Sequence, residues 1–380
     1  MLRNIRPYLV PALFLTLSAC GGGGSGLEDP GAGDNPDNPG TQPPDTSSAK
    51  PTSLPAYSDL SLYSSDSPLN QKIAADAELD PNSDQYTALI AKAATDGGFI
   101  MELKQYSTPV YFADSSTPKQ SVRLACGQDW AGVDSLSGVP IPAFAEPAQD
   151  IDGADNPIKK GQCGADADQD NQMVILDRAT RCEYDFFQAR FEDGRWVASW
   201  GNSISMDSRG IYEKGFSARG SGFTQLAGEI WPDELASGHI GHALIFSDPF
   251  TAAGGPVPPA TESDGLNTEQ WALPEGALVR LDPSIDLGTL NLEPYERTIA
   301  AALQEYGMYL VDNGTFGVSI EAIDPRSVQG NPYEGLLPNV DFPEMPNIPM
   351  DRLQVLKLPP QDPDFDSKSE LVNSGCATFH

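Results

Sequence analysis

Alternating carboxylates are the first feature of this sequence able to do chemistry. Asp166, Asp168 and Asp170, with Asn171 next and Asp177 at the twelfth position, could converge their oxygens on a Ca²⁺ ion. Against calcium, the sixth position is Asn rather than Gly and the twelfth is Asp rather than Glu. Gln172 to Leu176 also predicts a strand where a calcium loop would enter a helix, so the competing reading is a solvated acidic turn before a strand. His239 and His242 stand three apart. On a helix they would share a face, but Gly238, Gly241 and the Ala-Leu-Ile-Phe run that follows predict loop and strand, on which the two rings diverge. With no third His nearby, a catalytic zinc is not expected. His242 alone could act as a general acid or base near neutral pH, or it could be a hydrogen-bonded structural residue. Glu183 and Asp185 share one face of a predicted strand, and Asp312 sits at a predicted turn. Carboxyl pairs about 5 to 9.5 Å apart hydrolyse glycosides, although a chain with 54 acidic residues forms such pairs by chance. No GxSxG, P-loop or GxGxxG opening a helix occurs, so serine hydrolase, NTPase and dinucleotide readings have no support.

The elements that must position these residues are mostly strands. Asp80-Pro-Asn-Ser83 offers a cap before Tyr86, Leu89, Ile90 and Ala93, a helical period that Gly97-Gly98 ends. Short apolar or alternating runs follow at Phe99–Leu103, Val110–Ala113 and Ser121–Ala125. Trp130 to Cys163 is rich in Pro, Gly and Asp and predicts a long loop. Strands are predicted again at Gln172–Leu176, Cys182–Phe191 and Arg195–Ser205, with Asp193-Gly194 as a hairpin turn. Ala243–Ser247 and Ala277–Leu281 are further strand candidates. Pro294 opens a second helix, in which Tyr295, Ile299, Ala302, Leu303 and Tyr306 share a face before Gly307 stops it. Met308–Val311 and Phe316–Ile323 around Asn313-Gly314 predict another hairpin. From Asn331 to Asp366 there are 8 Pro in 36 residues, which predicts an extended segment over the body or partly free. The expected fold is a mainly β domain, an antiparallel β-sandwich or jelly-roll with one or two helices.

Composition restricts the partners. The 380 residues carry 54 Asp plus Glu against 23 Lys plus Arg, a formal charge of -31, with no local basic stripe. Such a surface repels the phosphate backbone, so nucleic acid is not an expected partner, and it repels anionic headgroups. At the N-terminus, Arg3 and Arg6 precede an apolar stretch from Tyr8 to Leu17, too short to span a bilayer as a mature helix. Leu17-Ser18-Ala19-Cys20 follows and resembles the lipobox of bacterial lipoproteins, in which the Cys thiol is acylated and becomes the new N-terminus. The alternative is an ordinary signal peptide with an incidental Cys. Gly21 after the Cys, by the same resemblance, implies the outer membrane of a Gram-negative bacterium. Residues 1–19 are then a signal peptide and 20–58 a tether. From Gly21 to Pro55 there are 8 Gly, 7 Pro and no aromatic residue, a composition that cannot bury a core and would reach about 30 to 35 Å as a flexible coil. Lipid can hold such a body at a membrane that its charge would avoid. Residues 59–330 form the expected globular domain and 331–380 the extended C-terminal segment. Setting Cys20 aside leaves Cys126, Cys163, Cys182 and Cys376, an even number in an oxidising compartment, for which two disulfides are expected. Of three pairings, Cys126 with Cys163 is favoured because they bracket the irregular segment. A zinc site would need CxxC-type spacing, which is absent.

Two stretches resemble a largely uncharacterised family of secreted bacterial β-rich proteins. One runs Gly228-Glu-Ile-Trp-Pro-Asp233-Glu234 through His242-Ala-Leu-Ile-Phe246. The other contains Tyr306-Gly-Met, Asp312-Asn313-Gly314 and Asp324-Pro-Arg326, and weaker echoes extend the likeness over roughly residues 65 to 330. The resemblance implies two possibilities for a site. Family members tend to carry His where Gln172 stands and another after the strand ending near Ser247; if those rings work with His242, this chain has lost the site. If His242, Asp312 and Asn313 are the essential groups, it has kept it. The expectation is a lipid-anchored envelope protein whose β domain binds, and in the stronger form cleaves, an extracellular polysaccharide. The alternative is a non-catalytic structural or adhesive module of the envelope.

Overall fold

Every residue of Leu244–Asp248 and of Met173–Asp177 is buried, so each segment needs protein on both faces and becomes an interior strand of its sheet. The structure, a computed structural model, describes residues 49–150, 156–164 and 167–380. The signal segment with Cys20, most of the tether, and Asp166 lie outside the described residues, which fall within the compact unit Thr41–His380.

Three sheets form among the described residues, their strands numbered here in chain order. The six-stranded sheet runs β1 (Phe99–Glu102), β13 (Val318–Glu321), β10 (Leu244–Asp248), β12 (Met308–Asn313), β11 (Leu278–Leu281) and β14 (Leu353–Val355). The four-stranded sheet runs β2 (Val110–Ala113), β5 (Met173–Asp177), β6 (Cys182–Phe187) and β9 (Trp200–Ser205). The five-stranded sheet runs β15 (Thr378–Phe379), β4 (Ser135–Pro140), β3 (Lys119–Leu124), β8 (Arg195–Ala198) and β7 (Arg190–Glu192).

Period-two alternation stacks these sheets. Along β10 and β12, Leu244, Phe246, Met308 and Leu310 enter one cluster, with Ile90 and Ala93 of helix α2 (Ser83–Gly97) and Ile299 and Leu303 of α5 (Pro294–Glu305). Their alternate neighbours Ile245, Tyr309 and Val311 enter a second cluster with Val174 and Leu176 of β5. The other face of the four-stranded sheet supplies Met173, Ile175, Tyr184 and Phe186 to a third, which they share with Val122, Leu124, Leu136 and Trp196 of the five-stranded sheet. The layers are therefore helices, six strands, four strands, five strands. The mainly β sandwich class is as the sequence predicted, and α2 and α5 are the two long helices; α1 (Tyr57–Leu60), α3 (Gly127–Ala131) and α4 (Pro232–Ser237) are short.

Several details differ. The sheets are mixed: β1 with β13, β10 with β12, β2 with β5 and β3 with β8 are parallel pairs. The long connections allow this, since parallel neighbours need a crossover, and α5 lies within the one from β10 to β12. The predicted hairpin at Asn313-Gly314 does not form. Strand β10 lies between β12 and β13, and β12 continues through Asn313, so neither Asn313 nor Gly314 takes the positive φ of a type I′ turn; Gly317 does, at φ 73°. The Asp193-Gly194 hairpin does form, with φ of 49° and 77° and Glu192 opposite Arg195. The predicted loop from Trp130 to Cys163 contains β4, which pairs with β3. The Pro-rich C-terminal segment enters the body, contributing β14 and the buried side chains Tyr333, Met345, Ile348 and Val355.

Cys126 bonds Cys163, and Cys182 bonds Cys376. The loops closed span 37 and 194 residues and do not overlap. Loop-closure entropy alone gives about 4 and about 5 kcal/mol respectively. Calorimetry should show a lower melting temperature for each double Cys→Ser variant, with the larger drop for Cys182/Cys376. An equal or reversed order would mean that native contacts, rather than loop length, set the contribution.

Candidate functional site

The layer between the six- and four-stranded sheets is apolar along most of its length and polar where it opens. The same alternation that buries Ile245 and Tyr309 there places Glu102, Ser247, Ser319 and Glu321 on that face. Asp312 joins them through an irregularity. Phe246 pairs with Leu310, but Ser247 pairs with Asp312, so Val311 is an extra residue and Asp312 is turned back toward the interlayer. Ser319 Oγ ties the row together, 2.8 Å from Glu102 Oε1 and 2.6 Å from Ser247 Oγ.

The facing wall comes from the approach to β5, the end of β6, the start of β9 and the loop before Gln225. Two lobes of about 490 and 430 Å³ result, both within the range of ligand sites. They share Asp170, Gln172, Asp264 and Asp312, so they meet at those residues. Trp130, Phe187, Trp200, Arg219 and Glu262 line the first lobe, and Glu102, Tyr106, Asp168, Asn313 and Glu321 the second. Phe379 stacks on Trp200 at 5.8 Å, and Trp200 in turn lies 6.3 Å from Trp130, which is half-buried.

Arg219 organises the charges. Its side chain is 1 % exposed and grips both Glu321 oxygens, at 2.6 and 2.8 Å, while Nη1 lies 3.9 Å from Asp312 Oδ2. Its Nε has no hydrogen-bond partner among the described residues. Asn313 Nδ2 donates to the Asp264 backbone oxygen at 2.8 Å and to Oδ1 at 2.5 Å, fixing that residue at the mouth. A Cβ on Gly220 would sit 2.7 Å from the Asp264 carboxyl carbon, so any larger residue there would push the Asp264 side chain aside.

Crowded carboxyl groups in a low dielectric hold protons. The protein packed around Asp312, whose side chain is 35 % exposed, raises it above the ordinary carboxylate range, Asp264 adds to this and Arg219 opposes it. Burial, then Asp150 and Glu321, push Asp170 up to about 7. Burial and Glu321 raise both Glu102 and the fully buried Glu229 well above the usual range. Asp264 is raised by the protein packed around it, although its side chain reaches solvent. Protonated and ionised carboxyl groups therefore coexist at neutral pH, which places acid and base within one cleft.

The structure divides the residues singled out from sequence. Asp312 and Asn313 are in the cleft. His242 is buried and lines neither lobe: Nδ1 donates to the Ala243 carbonyl at 2.9 Å, Nε2 lies 3.2 Å from Glu234 Oε2, and the Tyr57 ring packs at 4.5 Å. Burial disfavours its charge, but Glu234 outweighs that and raises its pKa. Glu234 also caps α4 by accepting from the Trp231 N–H, so His242 serves a structural knot. In the acidic run, Asp168 and Asp170 reach the second lobe, whereas Asp177 accepts from the Ala179 and Thr180 N–H groups beyond the far end of β5. Extended chain at about 3.3 Å per residue separates it from Asp170, so these residues do not close a calcium loop. Among the described residues no group of three His, Cys, Asp or Glu is arranged to hold a metal ion. Glu183 and Asp185 are fully buried, held by Tyr63 and Tyr212. Arg219, Asp264 and Glu321 were not legible beforehand, because nothing local marks a loop Arg or Asp that meets its partners only in space. No family model, curated protein or solved structure matches the chain.

The raised carboxyl groups fix a sign for stability. A carboxyl group with a higher pKa folded than unfolded binds more protons in the folded state, so its contribution is full below about pH 4 and is lost as pH rises through the folded value. For Asp170 that window ends near pH 7. The melting temperature should therefore fall between pH 4 and 8, and Asp170→Asn should flatten the slope between pH 5 and 8. Thermal scans across that range check it; an unchanged slope in the variant would show that Asp170 is ionised throughout.

Proposed function

We propose that the protein is a lipoprotein of the cell envelope, anchored in the outer membrane through Cys20, whose β domain binds and cleaves an extracellular polysaccharide. The observation that carries this reading is the junction of the two lobes, where Asp170, Asp264 and Asp312 stand beside a wall that presents Trp130 and Phe187. Aromatic faces offer a sugar ring an apolar platform, and paired carboxyl groups supply the proton transfers of glycoside hydrolysis. Asp312 gives its proton to the glycosidic oxygen as the C–O bond breaks. Asp170, ionised, takes a proton from the water that attacks the anomeric carbon. One water is consumed, and one new reducing end and one free hydroxyl are formed. Arg219 opposes the rise in the Asp312 pKa and so limits how tightly the proton is held.

The test uses the full chain in detergent on a panel of soluble polysaccharides, with binding and new reducing ends read separately. Asp312→Asn should lower the cleavage rate by about 10²-fold or more while binding persists. Binding by the unaltered chain without any new reducing ends would favour a non-catalytic module instead, and absence of both would sink the reading.

Anchoring has its own test. Metabolic labelling with a fatty acid should tag the protein, and Cys20→Ser should abolish the label and release the chain from the membrane fraction. A labelled Cys20→Ser variant would place the lipid elsewhere.

A further inference from the structure

The cleft opens to solvent at both of its lobes. Its first lobe reaches the surface at Lys368 and its second at Asp168 and Thr315, all three exposed, and the lobes meet at Asp170, Gln172, Asp264 and Asp312. The carboxyl groups are thus in the middle, with space of similar volume on either side. Both sides also offer apolar contact. Trp130 and Phe187, each half-buried, face the first lobe, with Trp130 backed by Trp200. On the other side Phe316, next to the lining Thr315, is 68 % exposed, and Leu266, two residues beyond Asp264, is 77 % exposed. These are the two most exposed large apolar side chains among the described residues, and each lies within two residues of one that lines the cleft.

Charge narrows the ligand. Six carboxyl residues, Asp168, Asp170, Asp264, Asp312, Glu321 and Glu262, line the lobes together with Glu102, and both cations that line them are engaged. Arg219 is clamped on Glu321, and Lys368 donates to the Trp130 carbonyl and lies over the Phe216 ring. A polymer bearing carboxylate or sulfate groups would add negative charge to a cleft whose carboxyl groups already crowd one another into holding protons, with neither lining cation free to receive it.

We propose that the two lobes hold successive sugar residues of one uncharged polysaccharide on both sides of Asp170 and Asp312, so that the chain is gripped across the junction and cut internally. This rests on the reading of the cleft as a polysaccharide site and adds the mode of cutting and the length and charge class of the substrate.

The decisive experiment follows full-chain protein on a neutral polysaccharide, on an anionic one, and on size-graded fragments of the neutral one. Internal cutting predicts that viscosity falls well before reducing ends accumulate, that affinity rises with fragment length across both lobes, and that the anionic polymer is neither bound nor cut. Phe316→Ala, a surface change, should weaken binding of long fragments about tenfold and leave the shortest bound fragments unchanged. Release of single sugars at constant viscosity, or length-independent affinity unaffected by Phe316→Ala, would overturn this proposal while leaving a polysaccharide site standing. Preference for the anionic polymer would overturn the charge class. Failure to bind any glycan would remove both this proposal and the reading beneath it.

Discussion

Buried negative charge is the constraint on which the rest of this structure depends. Most of the 54 acidic residues can stay in water, but several stand buried within the layered β body, between the six- and four-stranded sheets. Ionised and unpaired, they would cost far more than the packing around them returns. Two devices make them tolerable: Arg219 pairs with Glu321, and proton uptake neutralises others, Glu229 and Glu102 among them. The cleft is where these devices reach solvent. The groups that solve a folding problem are the groups able to move protons.

Geometry at the junction follows from backbone register. Glu102, Ser247, Ser319 and Glu321 share a face by alternation, and the extra residue Val311 turns Asp312 to the same side. The C-terminal segment completes the opposite wall. Phe379 stacks on Trp200, Lys368 holds the Trp130 carbonyl, and the Cys182–Cys376 bond secures the end of the segment to the four-stranded sheet. A stretch that reads as a proline-rich extension is therefore part of the wall that carries the aromatic side chains.

Much of the secondary structure was legible because it rests on local physics. The helix over Ser83–Gly97 was marked by its period and its terminal glycines, although no side chain caps its first turn, and the Asp193-Gly194 turn by its tolerance of positive φ. The same turn chemistry misled at Asn313-Gly314, since Asn-Gly permits a hairpin without requiring one, and pairing with β10 supplied a better arrangement. His242 misled in another way. A lone imidazole can serve catalysis or structure, and the side chains around it decide; here Glu234, the Ala243 carbonyl and Tyr57 leave no face for a ligand.

By itself the sequence determined the mainly β class, the two long helices, the parity of the cysteines and the acidity of the chain, because each depends on composition or on neighbours a few residues away. It also marked Asp312 and Asn313 through short motifs. Only the tertiary structure decided which acids share a site. Asp170, Asp264 and Asp312 come from segments far apart in the chain, and their proximity and raised pKa values exist only once three sheets are stacked. Burial, register and long-range charge are properties of the folded layers, and no short window of residues contains them.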